Sequence, residues 1–329
     1  ILKKHQKDRQ RKSKLSPLLT VWLILALVLR REQSYPNVLG WLLSGLHSLG
    51  WNIPRRCVQE GAISHARKRI GAGVLRDLFH ATWDISRKVA ADFYGLISLA
   101  VDGTSLTMPD TPGNTKVFGK HKGGRGKSGY PQMRVVALVS TVTQAVFDLT
   151  FGPYSGKGKG TGERSLTTSL LLKHARKGFL FLLDRGLYAF SLLHQLLEQQ
   201  ADFLVRVPAH VRLRKIRKSQ RPDGSYLAWM TGKVEVPQAA PAGRRKKWEK
   251  TRHLVRIVEY QVPGFRKIRL STSLLDVNIT ARELVDRYHK RWEIELAYDQ
   301  IKTHQSARRT GQCPAIFRSK RPDLVEQEL

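Results

Sequence analysis

The chain has 329 residues, of which 41% are hydrophobic, enough for a sizeable core and too many for a disordered tail. Lysine and arginine number 58 against 26 aspartates and glutamates, and the resulting net charge of +32 points to a polyanionic partner, nucleic acid first. The two cysteines, Cys57 and Cys313, exclude a disulfide framework and a cysteine zinc site, and they favour a reducing compartment.

The N-terminal 15 residues are a basic run that reads equally as a solvated tail or a DNA-contacting arm. Ser16-Pro17 has the pattern of a helix start, and a helix is expected to about Arg31. Its apolar run, Leu18 to Leu29, is about twelve residues where a membrane span needs roughly twenty, so no membrane association is expected. No signal peptide is evident. The chain opens on Ile1 rather than Met, which reads as a fragment. Further helices are expected at 36–48, 59–70 and 74–91.

The pattern changes near residue 94. Residues 96–101 read as a buried strand ending at Asp102-Gly103, and 109–130 as a Gly-, Pro- and Lys-rich loop. Strands follow at 133–143 and 145–151, a helix at 166–177, a strand at 179–183 ending at Asp184, and a helix at 187–199. Residues 202–275 are strand-like and strongly basic, with strands at 203–207, 226–229, 233–236, 254–261 and 268–272 and basic loops at 212–221 and 244–252. A last helix opens at Thr280, where Thr280 and Glu283 match a capping box. The expected boundaries are a helical N-terminal DNA-binding domain at 1–92, the first part of an α/β core at 93–201, a β-rich insertion at 202–276, and a final helix with the start of a C-terminal region at 277–329.

Asp102 and Asp184 each end an apolar strand, where open α/β sheets bind ligands. Either alone reads as a turn cap before glycine. Glu295 lies on the last helix, and a cluster of carboxylates in so basic a chain suggests Mg²⁺, which takes hard oxygen ligands. On a helical wheel at about 100° per residue, Arg291, Glu295 and Lys302 fall at about 300°, 340° and 320° from Tyr288, on one shared face. That face suits a metal ligand flanked by phosphate-holding groups. It equally suits an exposed salt-bridged surface.

The spacing Tyr288-x2-Arg291-x3-Glu295-x6-Lys302 resembles the Y-R-E-K signature of the insertion-sequence-four family of DDE transposases. Residues 101–104 resemble that family's first-aspartate region and 183–188 its second. Segments 18–34, 62–78 and 317–329 also resemble the family, so the likeness covers nearly the whole chain. It implies an RNase H-like (retroviral-integrase-like) α/β catalytic core with a β-rich insertion, preceded by an all-α N-terminal domain. It implies a DNA transposase in which Asp102, Asp184 and Glu295 are catalytic and hold two Mg²⁺ ions, with Mn²⁺ as a substitute. Water activated there would nick the element end, and the freed 3′-OH would form a hairpin, which is reopened and joined to target DNA. Tyr288, Arg291 and Lys302 would grip phosphates, and Trp248 or Trp229 would stack a flipped base, with Trp229 better read as core packing. The implied partners are double-stranded DNA (element ends and target) and a second copy of the chain on paired ends, in a prokaryotic cytoplasm at the nucleoid.

Gly126-Lys127-Ser128 fails as a phosphate-binding loop because the glycine needed upstream is His121. Gly156–Gly162 and the segments 116–127 and 212–221 are expected to be basic loops near DNA, and His289 and His304 surface or DNA contacts. Family members continue beyond a segment like 322–329, so the alternative reading is a truncated, inactive DNA-binding remnant. A host nuclease of the same fold is disfavoured by the full Y-R-E-K block.

Overall fold

The computed structural model describes residues 1–8, 14–53, 58–86, 91–123, 126–155, 162–236, 247–300, 302 and 317–329. Four helices come first: α1 (Pro17–Leu29), α2 (Tyr35–Ser48), α3 (Glu60–Ile70) and α4 (Ala72–Ser86). The serine hydroxyls before α1 and α2 accept from backbone N–H groups at Leu19 (3.3 Å) and Asn37 (3.4 Å), and a proline opens each helix. Leu23, Leu27, Leu39, Leu43 and Ile63 make the core of α1–α3. The basic N-terminal run does not hang free over residues 1–8: Lys4 and His5 reach Asp77 of α4 at 2.7 and 3.1 Å.

The remainder is a mixed α/β unit around one large sheet. Its strands are β1 (Ile97–Thr107), β2 (Lys120–Gly123), β3 (Gly126–Ser140), β4 (Val146–Pro153), β5 (Phe179–Leu183), β6 (Asp202–Arg206), β7 (Arg214–Lys215), β8 (Tyr226–Val236), β9 (Lys247–Tyr260) and β10 (Ile268–Thr272). The order across the sheet is β2-β3-β1-β5-β6-β10-β9-β8-β7, with β4 also paired to β3. β1 runs antiparallel to β3 and parallel to β5, and β5 runs parallel to β6. β10 adds antiparallel to β6, so the long β8–β9 hairpin extends the central sheet rather than forming a separate one.

Helices α6 (Glu163–His174) and α7 (Phe190–Glu198) cover one face, packing Leu170, Leu171, Leu193 and Leu196 on Val101, Phe181 and Phe203. Helices α8 (Ala281–His289) and α9 (Glu293–Asp299) cover the other, where Leu284 and Tyr288 meet Leu180 and Leu182 and where Ile294 and Tyr298 meet Ala100 and Ala137. The strands between are apolar on both sides, as a sheet buried on both faces requires. α5 (Pro112–Phe118) packs at the β2–β3 edge, and α10 (Pro322–Val325) lies near the end of the chain.

The segment 317–329 ties the first helices to the sheet. Phe317 and Val325 pack on Leu106, Met108 and Met133. The fully buried Arg67 of α3 donates to Leu324 O (2.9 Å), Gln327 Oε1 (3.2 Å) and Glu328 Oε1 (3.2 Å).

Several expected elements differ. β1 does not stop at Val101; it continues to Thr107, so Asp102 sits within the strand. The polar run after it reads as a turn, yet Gly103–Leu106 pair fully with β3. The expected loop at 109–130 contains α5, capped by Thr111 and opened by Pro112, and the strand β2 with the start of β3. The described residues of segment 116–127 are therefore mostly helix and strand. The two strands expected at 226–229 and 233–236 are one, and residues 247–252 of the expected second basic loop belong to β9. In segment 212–221, Arg214–Lys215 pair with β8 and Arg221 holds the carbonyls of Leu275 and Asp276. The last helix is not continuous: a 3₁₀ turn over Lys290–Trp292 separates α8 from α9. Residues 87–90, 156–161 and His304 lie outside the described residues.

Candidate active site

The strand register brings the two aspartates together. β1 and β5 run in parallel with Ile97 beside Phe179 and Ala100 beside Leu182. Two residues beyond that last pair come Asp102, still in β1, and Asp184, the first residue past the end of β5. Alternation along each strand puts Asp102 on the face of Ala100 and Asp184 on the face of Leu182, the face covered by α8 and α9. Asp102 is held by its β3 pairing while β5 has ended, so both carboxylates sit at one sheet edge beneath the helices that carry the Y-R-E-K residues.

Asp102 accepts from the Gly103 N–H through Oδ1 at 2.8 Å. Burial raises its pKa above the ordinary carboxylate value; the Gly103 N–H and Arg291 oppose the rise, and the charges of Glu163 and Glu295 add to it. Asp184 caps the short 3₁₀ turn Arg185–Leu187, accepting from the Gly186 N–H at 3.4 Å. Capping and exposure at the sheet edge are thus both true of it.

Arg291 is buried to 7% exposure between two carboxylates. Its Nη1 lies 3.9 Å from Asp102 Oδ2 and its Nη2 donates to Glu295 Oε1 at 3.3 Å. Its Nε has no partner among the described residues. Lys302 also converges here: burial lowers its pKa and the Asp102 charge raises it. Arg291, Glu295 and Lys302 therefore gather at Asp102.

Tyr288 lies deeper, with Arg291 and Asp184 as its charged neighbours. It is 5% exposed in the core among Leu180, Leu204 and Leu284, and burial pushes its phenol well above the ordinary value, with Asp184 adding to the rise. A 3₁₀ turn after His289 interrupts the straight helix that the wheel assumes. Trp248 is exposed near the tip end of the β8–β9 hairpin, opposite Glu235. It lies eight residues along β9 from Arg256, which pairs with β10, or about 26 Å of strand. Trp229 is half-buried under the Arg252 guanidinium at 4.4 Å, which agrees with a packing role. His289 packs edge-on against Tyr260.

Sequence reasoning missed Tyr298. Its hydroxyl donates to the Asp102 carbonyl at 2.7 Å and accepts from the Ala137 N–H at 3.1 Å, one helical turn beyond Glu295. The signal available was its i+3 spacing from Glu295, on the same side of the helix as the buried Ile294.

The donors suit a hard divalent cation: Asp102, Asp184 and Glu295 offer only carboxylate oxygens. Among the described residues no three His, Cys, Asp or Glu side chains are gathered tightly enough to hold an ion. Arg291 instead supplies the positive charge between Asp102 and Glu295, and its Nε keeps a donor without a partner among the described residues. The residues fit the ion by chemistry.

The site thus has Asp102 on β1, Asp184 just past β5 and Glu295 on a covering helix, and the family comparisons are specific. The model for the transposase DDE domain matches residues 95–312, and the model for the insertion element 4 transposase N-terminal region matches residues 1–80. The first spans more than half of the chain, and this protein belongs to the insertion-sequence-four family of DDE transposases. It is 28% identical over 328 residues to transposase InsG for insertion sequence element IS4 of Escherichia coli K12, covering 97% of this chain and 68% of that one. It is 27% identical over 136 residues to the putative transposase InsZ of the same organism, covering 40% of this chain and 44% of that one. A cryo-EM structure of the piggyBac transposase synaptic complex with hairpin DNA is similar at 12% identity and a TM-score of 0.46, covering 97% of this chain and 65% of that chain. Among the described residues no helix is long and apolar enough to cross a membrane.

Proposed function

We propose that the chain is a DNA transposase that cuts at element ends and transfers the freed strand to target DNA, through hairpin ends. The observation that carries this reading is the convergence of Arg291, Glu295 and Lys302 on Asp102, with Asp184 just past the end of the neighbouring β5. The strand order β4-β3-β1-β5-β6, with three antiparallel strands followed by two parallel ones, supports an RNase H-like core. The region from β7 to β10 is taken as its β-rich insertion.

In this reading Asp102, Asp184 and Glu295 hold two Mg²⁺ ions, or Mn²⁺ in their place. Bound there, the ions supply the charge that stabilises the attacking and leaving oxygens of an in-line displacement at phosphorus. The chain's own residues orient that reaction. Arg291 turns its donors toward the carboxylates and the incoming phosphate, and Lys302 neutralises phosphate beside Asp102. Tyr288 buttresses β5 beneath Asp184 from within the core. Trp248, solvent-facing on the hairpin, offers a stacking surface to an unpaired base. The net charge of +32 gives salt-sensitive binding to duplex DNA, and a homodimer on paired ends brings two such sites together.

The test is a denaturing-gel assay on labelled duplexes carrying the element's end, with Mg²⁺. Flank release with a slow-migrating hairpin product, absent in Asp184→Asn, supports the proposal. Salt-sensitive binding with no cleavage supports instead a non-catalytic DNA-binding remnant.

A further inference from the structure

Helix α1 is apolar nearly all round. Its 13 residues include no charged side chain, in a chain of which 26% is charged. Two cores account for most of that surface. Leu19, Leu23 and Leu27 pack with α2 and α3, and Val21 and Ile24 pack with Ile70 and Val74. What they leave is one stripe. Leu18, Trp22, Leu25 and Leu29 are each between 36% and 68% exposed, and the helix residues between them are buried or half-buried.

At about 100° per residue the four fall within roughly 60° of arc, along about 17 Å of helix. The fold does not need them, since α1 is already anchored through both cores. Their 4-3-4 spacing is the alternation of a coiled-coil seam, by which two helices interlock side chains. The stripe is also self-complementary. When two α1 helices lie antiparallel about a two-fold axis, Leu18 meets Leu29 of the other copy and Trp22 meets Leu25, because both pairs are centred between Leu23 and Ile24.

Charge and area select the occupant. Three leucines and an indole offer a phosphate no cation, so this face is not built for DNA. A chain of net charge +32 repels its own copies over most of its surface, and α1 is a face on which two copies meet without opposing like charges. At these exposures the stripes of two copies bury about 750 Å², most of the roughly 900 Å² of apolar area in a standard interface of about 1,600 Å².

We propose that the α1 stripe is a homodimer interface, in which two copies pair their α1 helices antiparallel about a two-fold axis. The interface lies on an element that carries none of the catalytic carboxylates, and it joins two copies before either meets DNA. Its purpose, bringing two ends together, rests on the transposase reading above; the contact itself stands whether or not the site cuts DNA.

The test is sedimentation velocity of the full chain without DNA, from about 1 to 100 μM, at low and at high salt. The wild type is expected to pass from one copy to two as concentration rises, and more readily at high salt, which screens the +32 repulsion and leaves apolar contact intact. Leu25→Glu is expected to weaken pairing at least about tenfold, with a melting temperature close to that of wild type. Leu29→Glu, at the most exposed position of the stripe, carries the test should Leu25→Glu fold poorly. The register has its own readout in a chain carrying Cys57→Ser and Cys313→Ser. There the double variant Leu18→Cys, Leu29→Cys is expected to give a disulfide-linked dimer on mild oxidation, and neither single variant is. Within one copy the two positions stand about 17 Å apart along the helix, too far to bridge. A wild type that stays single at about 100 μM overturns the proposal, as does pairing that both glutamate variants leave unchanged. Pairing that dissolves at high salt marks a nucleic-acid bridge and overturns it too. Pairing through α1 in a wild type that cleaves no end DNA leaves this interface standing and counts against the catalytic reading alone.

Discussion

The Tyr298 hydroxyl is inserted between two paired strands, bonded to the carbonyl of Asp102 and to the N–H of Ala137. Asp102 and Ala137 are partners in the β1–β3 register, so the phenol bridges them and pins α9 to the strand that bears the first aspartate. Glu295 is one turn earlier on the same helix. Tyr298 thus fixes the distance between the two carboxylates through a backbone atom rather than a side chain.

Tyr298→Phe keeps the ring and removes the bridge. It removes two hydrogen bonds to the β1–β3 pair, a cost of about 1–3 kcal/mol. Urea unfolding measures that loss. End cleavage under conditions where the variant is fully folded is expected to fall further than stability explains, because Glu295 is no longer held at Asp102.

Arg256 of β9 is fully buried and positions the start of α8. It bonds Ser225 Oγ (2.9 Å) and the carbonyls of Asp276 (3.1 Å) and Ile279 (2.5 Å), and it pairs with Asp223. Asp223 in turn accepts from the Ala281 N–H, the first residue of α8, at 2.8 Å. Arg256→Ala strands that carboxylate and those carbonyls, and about 3–5 kcal/mol of stability is expected to be lost in chemical denaturation. Arg256→Lys, which cannot reproduce the fork of donors, is expected to recover only part of it.

Asp102 makes folding pH-dependent. Burial, joined by Glu163 and Glu295, raises its folded pKa against the pull of the Gly103 N–H and Arg291. The folded chain then binds a proton more tightly than the unfolded chain. This site's contribution to stability accordingly falls as pH rises from the unfolded carboxylate value of about 3.9 through the folded one. Asn at this position carries no charge to desolvate. In EDTA, Asp102→Asn is expected to melt above wild type at about pH 7, and the gap to shrink toward about pH 4. A wild type that melts higher at neutral pH contradicts this.

Trp248 is 54% exposed, so Trp248→Ala is expected to leave the melting temperature unchanged. A stacked base contributes about 1–3 kcal/mol, and the variant is expected to bind end DNA with an unpaired base more weakly by that amount while binding plain duplex normally. Fluorescence anisotropy on the two DNAs separates these outcomes.

Much of this was legible in the sequence where local chemistry is strong. β5 is five apolar residues and was read at its true bounds, and the capping box at Thr280 and Glu283 is present in full. The Y-R-E-K resemblance was legible because four spaced residue types rarely coincide. What was hidden depends on distant partners. Gly103-Thr104-Ser105 looks like a turn, and only the β3 pairing makes it a strand. Pro112 and Gly113 look like loop residues, yet the Thr111 hydroxyl and the proline start α5. A straight-helix wheel sets Tyr288 on the face of Glu295, whereas a 3₁₀ turn at Lys290–Trp292 interrupts the helix and the Tyr288 ring packs in the core.

The central claim is that Asp102, Asp184 and Glu295 form one centre that cleaves DNA with a divalent metal. Nicking of a supercoiled plasmid carrying the flanking repeats, in Mg²⁺ or Mn²⁺, tests it most directly with wild type, Asp102→Asn and Glu295→Gln side by side. The account predicts EDTA-sensitive nicks at the repeat ends in wild type and none in either variant, with DNA binding retained in all three. Cleavage that survives both substitutions would contradict it.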